Sequence, residues 1–330
     1  MRVLVTGGAG FIGSHFAKRL EAAGDDVCVF DALTYSGNPA NLEGTGVDLV
    51  VGDICDAAAV AEAAAGFDAI VNFAAESHVD RSILGSPDFG RTAFFGTQVL
   101  LEEARRTGVR FVQVSTDEVY GDLADRGSAK EDDPIRPSSP YSVAKAAGDL
   151  HIPAYVRTFG VNASITRGSN TYGPNQYPEK LIPLMTTNAL EGEPLPVYGD
   201  GRQIRDWLWV EDHCSGVELV LREGGPGEVY NVGGDDEREN LEIVSRILEL
   251  TGADPSLVRH VEDRAGHDRR YSLDTAKLRA LGWAPQKPFE EGIAETIGWY
   301  QENRAWWEPI KSGEYRDFYE RQYAARLADA

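Results

Sequence analysis

The chain has 330 residues, 42% hydrophobic and 26% charged, with a formal net charge of −21. That length allows one large domain or two modest ones with ample core, and the acidity argues against a nucleic acid held on a basic face. No apolar run approaches the roughly 20 residues that span a bilayer, and the strand pattern starting at Arg2 leaves no room for a leader peptide, so a cytoplasmic protein with no membrane partner is expected.

Arg2–Thr6 reads as a buried strand and His15–Ala23 as a helix. The alternation continues with strands Val27–Asp31, Leu49–Asp53, Ala69–Ala75 and Phe111–Thr116, and with helices Ala57–Ala65 and Gly96–Thr107. Tyr141–Phe159 is helix-compatible, with a kink expected at Pro153, and Ala163–Arg167 is a sixth strand. This order predicts an α/β fold built on a Rossmann-like doubly wound parallel sheet. Pro174, Pro178, Pro183, Pro194 and Pro196 punctuate a loop-and-helix region beyond it. Glu228–Val232 looks like a strand returning to the main sheet, and Leu241–Thr251 and Phe289–Arg304 like amphipathic helices. We expect residues 1–168 plus about 206–235 to form a cofactor domain. Residues from about 169–205 plus 236–330 then form a smaller, partly discontinuous α/β substrate-binding domain capping the carboxyl ends of the strands. The last 20 residues support no assignment. Cys28, Cys55 and Cys214 lack metal-ligand spacing, so no metal site is expected and all three read as buried free thiols.

Gly7-Gly8-Ala9-Gly10-Phe11-Ile12-Gly13 follows the first strand and opens a helix. Glycines there let the backbone approach a pyrophosphate, with Gly7, Gly10 and Gly13 flanking Phe11 and Ile12 at the helix start. Asp31 ends the second strand, placed for a ribose 2′-hydroxyl. No Arg or Lys occurs in Ala32-Leu33-Thr34, which favours NAD over NADP. Asp53 and Ile54 after the third strand, and Phe73, Ala74, Ala75 and Ser77 after the fourth, fall where such folds line adenine and ribose.

Tyr141 and Lys145 are four residues apart, on one face of a helix. A free phenol has a pKa near ~10, and a neighbouring ammonium favours phenolate, the base that takes a proton from an alcohol during hydride transfer. That pair alone indicates only a nicotinamide oxidoreductase. Asp117 and Glu118, following Val114-Ser115-Thr116 at the carboxyl end of the fifth strand, add an acid and a base. Oxidation combined with loss of water is the chemistry this set specifies.

From Met1 to about residue 300 the chain resembles the dTDP-glucose 4,6-dehydratases, extended short-chain dehydrogenase/reductases. The resemblance is carried by VTGGAGFIGS (5–14), DALTYSGN (31–38), AAESHVDRS (74–82), STDEVYG (115–121) and YSVAK (141–145). It continues through SNTYGPNQYPEKLIP (169–183), PVYGDGRQIRDW (196–207) and RAGHDRRY (264–271). It implies a cytoplasmic homodimer paired through Thr92–Arg106 and Tyr141–Thr158, with bound NAD and dTDP-glucose as substrate. Tyr141, with Lys145, would take the 4-hydroxyl proton. Glu118 would remove the C5 proton, Asp117 would protonate the leaving 6-hydroxyl, and Thr116 would bond the sugar. It assigns Thr92, Ser115 and Thr171 to the cofactor alongside Tyr141 and Lys145. To the sugar nucleotide it assigns Ser77, Asn170, Lys180, Leu181, Pro196, Val197, Tyr198, Arg205, Asn240, Arg264 and His267. Three positions depart from its pattern. Ala93 stands where Asn is expected, which puts a cofactor contact or helix cap in doubt. Gly168 replaces Cys, and Thr171 replaces an Asn that bonds near the nicotinamide. The alternative is another NAD-dependent sugar-nucleotide epimerase or decarboxylase; neither reaction needs an acid for a 6-hydroxyl, the task given to Asp117. A binding-only protein of the same fold would be expected to lose the Tyr, Lys or carboxyl groups, and all four are present.

Overall fold

The computed structural model describes residues 1–85 and 87–328. Its strands are β1 (Arg2–Thr6), β2 (Asp26–Asp31), β3 (Asp48–Val51), β4 (Ala69–Asn72), β5 (Arg110–Thr116), β6 (Ala163–Gly168), β7 (Asn170–Tyr172), β8 (Leu195–Tyr198), β9 (Ile204–Trp209), β10 (Val229–Val232), β11 (Glu237–Glu239) and β12 (Val258–Val261). Seven of them form one parallel sheet in the order β10-β6-β5-β4-β1-β2-β3. The order reverses between β1 and β4, the crevice where doubly wound sheets take their ligands.

Alternation along the strands divides the core into two layers. Val3, Val5, Val29, Val71, Val112 and Val114 pack with Phe16, Leu20 and Val217 on one face. Leu4, Phe30, Ile70, Phe111 and Ile165 pack with Leu100, Leu101 and Ile152 on the other. Each such side chain contributes about 1.5–3 kcal/mol when fully buried. The outermost strand, β3, departs from its expected burial: Asp48, Val50 and Val51 are exposed, because a sheet edge covers one side only. Cys55 is also only partly buried, unlike Cys28 and Cys214.

Helices begin and end where local chemistry allows. Phe11–Ala22 starts directly after Gly10, earlier than expected. Pro140–Phe159 starts at a Ser139/Ser142 capping box with proline in its first turn, where no N–H is needed. It runs through Pro153 and stops at Gly160, whose φ of +71° is left-handed and costs glycine little. Ahead of Thr97–Thr107 lies a π-helical turn, Arg91–Gly96. The backbone is already helical at Gly90, so Ala93 occupies no cap position.

The remaining strands make two small sheets, β11-β9-β7 and β12-β8. Leu181–Glu191 is a helix despite Pro183, which falls in the first turn. Phe289–Glu302 ends two residues before Arg304, where a separate short helix begins. The unassigned tail forms the helix Glu314–Ala328, which buries Tyr315, Phe318, Gln322 and Tyr323 along one face, three and four residues apart as on one side of a helix.

Candidate active site

The carboxyl ends of β1 to β6 open into a cleft of about 720 Å³. At its floor Gly7 has φ +70°, and a Cβ there would stand 2.5 Å from the Ala74 amide nitrogen. A Cβ on Gly13 would stand 2.3 Å from the Gly7 carbonyl oxygen. Gly10 then opens its helix with no side-chain cap, the arrangement by which a helix N-terminus receives a phosphate.

Asp31 accepts the Ala9 N–H at 2.9 Å and the Leu33 N–H at 2.8 Å. Burial raises its pKa and these two bonds oppose the rise. Leu33 takes φ +50° to close this turn. Of the twenty residues expected around the cofactor, Leu33 alone is not part of the cleft wall; Ala32 and Thr34 on either side are. Asp53 accepts the Cys55 N–H at 2.8 Å and pairs with Arg91 at 2.7 Å. Ile54, Phe73, Ala74, Ala75, Ser77 and Thr92 complete that side. A glycine cradle that any Cβ would fill, an uncapped helix start and a buried carboxylate beyond it fit a dinucleotide.

At the other end β5, buried along its whole length, delivers Ser115 and Thr116, and a 3₁₀ turn delivers Asp117 and Glu118. Tyr141 and Lys145 face them from the capped helix, with Lys145 Nζ donating to the Val114 carbonyl at 2.7 Å. Burial lowers the Lys145 pKa to about 8, against the pull of Asp149. Asp149 is itself ion-paired with Arg167 at 2.9 Å, both buried. Burial, and next the Glu118 charge, raise the Tyr141 phenol. Burial thus keeps the phenol protonated in the protein alone, so it cannot take a proton until positive charge brings it to ionise.

Asp117 is 4% exposed. Its Oδ1 accepts from the Thr116 hydroxyl at 3.1 Å, and its Oδ2 is buried without a partner among the described residues. Burial first, then Glu118, hold its pKa well above the ordinary carboxyl range. Burial raises Glu118 as well, but Arg264, Lys180 and Arg205 pull it back. Asp117 is thus pushed further above the ordinary carboxyl range than Glu118, the ordering that sets an acid beside a base.

Of the expected sugar-nucleotide residues, Ser77, Thr116, Asn170 and Lys180 line the cleft. Lys180 donates to the Ser77 carbonyl, and the Asn170 Oδ1 is buried without a partner among the described residues. The others do not line it. Arg264 pairs with Asp80 at 3.0 Å, and Tyr198 donates to the same carboxylate at 2.8 Å. His267 meets the Tyr198 ring edge-on and bonds Asp263 at 2.6 Å. Arg205 stacks on Tyr271 and donates to the Ile204 and Asp268 carbonyls. Pro196 and Val197 lie in β8, and Leu181 and Asn240 each begin a helix. Arg264, Lys180 and Arg205 nevertheless converge on Glu118 closely enough to shift its titration.

A family model described as GDP-mannose 4,6 dehydratase matches residues 4–296. A dTDP-glucose 4,6-dehydratase of Streptomyces niveus is 54% identical over 325 residues, covering 94% of this chain and 96% of the relative. Another from Actinoplanes sp. is 50% identical over 321 residues, covering 93% and 100%. The crystal structure of DesIV, the dTDP-glucose 4,6-dehydratase of Streptomyces venezuelae with NAD and TYD bound, superposes with a TM-score of 0.92 at 53% identity, covering 94% of this chain and all of that one. The chain belongs to the dTDP-glucose 4,6-dehydratase family.

Within this dehydratase site the sequence motifs held groups to which no role was given. Glu179, one residue before Lys180, is buried against Arg81 at 2.6 Å. The Arg81 guanidinium lies 3.9 Å from the Tyr35 ring and 4.4 Å from Phe318 of the C-terminal helix. Glu76, whose pKa burial and then Asp88 push up to about 7, also faces the cleft. The departures have local causes. Ala93 packs in a small cluster with Tyr141 and Ala144. Gly168 abuts His213, and the Thr171 hydroxyl is engaged by the Ser169 carbonyl and His213.

Proposed function

We propose that the chain converts dTDP-glucose to dTDP-4-keto-6-deoxyglucose and water, with NAD as resident cofactor. The observation that carries this is the adjacent carboxyl pair Asp117 and Glu118, set at the end of β5 in the same cleft wall as Tyr141 and Lys145. NAD, when bound, supplies a hydride acceptor for C4, a donor for C6 and a positive ring charge that favours phenolate. Tyr141 takes the 4-hydroxyl proton, with Lys145 raising the local positive potential and Thr116 bonding the sugar. The ketone acidifies the C5 proton, which Glu118 removes, and Asp117 protonates the departing 6-hydroxyl. The residues named from the resemblance are the ones we assign to the cofactor and the nucleotide; of those for the sugar and diphosphate, Asn170 and Lys180 are polar groups in the cleft wall, and Arg205 lies behind it. The test is incubation of purified protein with dTDP-glucose and UDP-glucose in parallel. The expected result is loss of one water from the dTDP sugar without added cofactor and without free NADH. Steady release of NADH would reject the closed redox cycle.

Residues 1–168 plus about 206–235 hold the cofactor, and about 169–205 plus 236–330 the sugar nucleotide. Supporting this division, the seven-stranded sheet draws on Arg2–Gly168 and Val229–Val232. The protein works in the cytoplasm as a homodimer. Three free thiols suit a reducing compartment, and no described helix is long and apolar enough to cross a membrane. Phe94, Phe95, Val143 and Leu150 are exposed on the two neighbouring helical segments expected to pair, and Phe159 one residue beyond the second. Such a patch on a folded chain marks an interface. Sedimentation at micromolar concentration should give twice the chain mass, and Leu150→Glu should shift it toward monomer; a wild-type monomer would reject the pairing.

A further inference from the structure

His213 is 2% exposed on the Val210–Glu223 helix and forms part of the cleft wall. Its ring is fixed from two sides. A Cβ at residue 168 would stand 2.5 Å from His213 Cε1 and 2.6 Å from Nε2, so only glycine leaves the ring where it is. The Thr171 hydroxyl donates to the Ser169 carbonyl at 3.1 Å and lies 2.7 Å from His213 Nδ1. A hydroxyl has one proton to give. With that proton on Ser169, the 2.7 Å contact is a hydrogen bond only if Nδ1 carries a proton and donates it. The reverse assignment would leave the hydroxyl and carbonyl oxygens facing each other with no proton between them.

Burial, and next the charge of Lys145, bring the His213 pKa down to about 4, so the ring is neutral under working conditions. A neutral imidazole protonated on Nδ1 presents a bare lone pair on Nε2. That Nε2 is buried and has no partner among the described residues. The large majority of buried side-chain acceptors in native proteins are met by a donor, so one left without a partner calls for an explanation. Gly168 and Thr171, two of the positions at which the chain departs from the pattern it resembles, therefore act on one ring: the first gives it room and the second sets its tautomer.

We propose that His213 is a positioning residue of the cofactor site, its Nε2 accepting a hydrogen bond from the carboxamide amine of the nicotinamide. This rests on NAD being the cofactor. The carboxamide amine is the one N–H donor the nicotinamide offers, and a bond to it fixes the orientation of the ring whose charge and hydride the chemistry uses.

The test is titration of the cofactor-free full chain with NAD and with 3-acetylpyridine adenine dinucleotide, in which a methyl ketone replaces the carboxamide and no N–H remains. Wild type should prefer NAD by about three- to tenfold, the range of one hydrogen bond. His213→Leu should erase that preference, and His213→Gln, which keeps an acceptor oxygen, should restore part of it. Other differences between the two dinucleotides cancel in the comparison of variants. Thr171→Val, which releases the tautomer without altering His213, should reduce the preference too and decides the matter should His213→Leu fail to fold. An equal preference in wild type and these variants, or none in wild type, would overturn the proposal. A wild type that bound neither dinucleotide would overturn the NAD reading itself.

Discussion

Tyr141→Phe is expected to lower the rate of C4 oxidation by about 10²–10⁴-fold, the range of one general base, while the fold and retained NAD stay as in wild type. The Tyr141 ring packs edge-on to Phe89 at a centroid distance of 6.4 Å and against Val79, Ala93 and Ala144. Phenylalanine fills the same space, so only the hydroxyl is lost. Since burial and Glu118 already raise the phenol, its ionisation depends on the positive charge that approaches it. Elimination requires the C4 ketone, so water loss should fall in parallel. Single-turnover absorbance of reduced nicotinamide measures the first step, and mass loss of water measures the whole. Oxidation at the wild-type rate would remove Tyr141 from the mechanism.

Much of this site was legible because it obeys local rules. The glycine turn is read from a strand before it and a helix after it, and its spacing reflects backbone approach that the structure shows at Gly7 and Gly13. The Tyr141/Lys145 pair is read from helical periodicity, and a capping box at Ser139 enforces that helix. What the sequence hid depends on partners far along the chain. β3 has the composition of a buried strand, yet its exposure follows from being last in the sheet order. Pro183 conceals the Leu181–Glu191 helix from a rule that proline breaks helices, but residues in a first turn have no N–H partner to lose. Pro196 lies in a strand of a two-stranded sheet, hence at an edge, where proline is tolerated. The C-terminal helix has little apolar contrast of its own. It is fixed by tertiary contacts: Tyr315 donates to the Pro178 carbonyl, Gln322 bonds Tyr198, and Phe318 lies against His78. The ion pair of Arg264 with Asp80 joins residues 184 positions apart, and no local pattern announces it.

Asp117→Asn is expected to separate oxidation from elimination. The variant keeps Tyr141, Lys145 and the acceptor for the Thr116 hydroxyl, so reduced nicotinamide should form on the protein at close to the wild-type rate. Loss of water should then slow by about 10²–10⁴-fold, because no proton is available to the departing 6-hydroxyl. Stability should not confuse the result. A carboxyl whose folded pKa is raised binds more protons folded than unfolded, so it costs stability as pH rises from its unfolded value near ~3.9 toward its folded one. Asparagine carries no such cost, and the variant should melt no lower than wild type at neutral pH. Glu118→Gln should also spare oxidation but stop exchange of the C5 proton with solvent deuterium, since the cations around Glu118 favour the ionised form that does this work. Rapid mixing with dTDP-glucose in deuterated buffer, followed by absorbance and mass, reads all three events in one experiment. Loss of cofactor reduction in Asp117→Asn as complete as in Tyr141→Phe, in a protein that still folds and holds NAD, would mean that the two carboxyl groups do not divide the elimination between them. An unchanged rate of water loss would leave Asp117 a buried loop acid and return the site to the epimerase and decarboxylase alternatives.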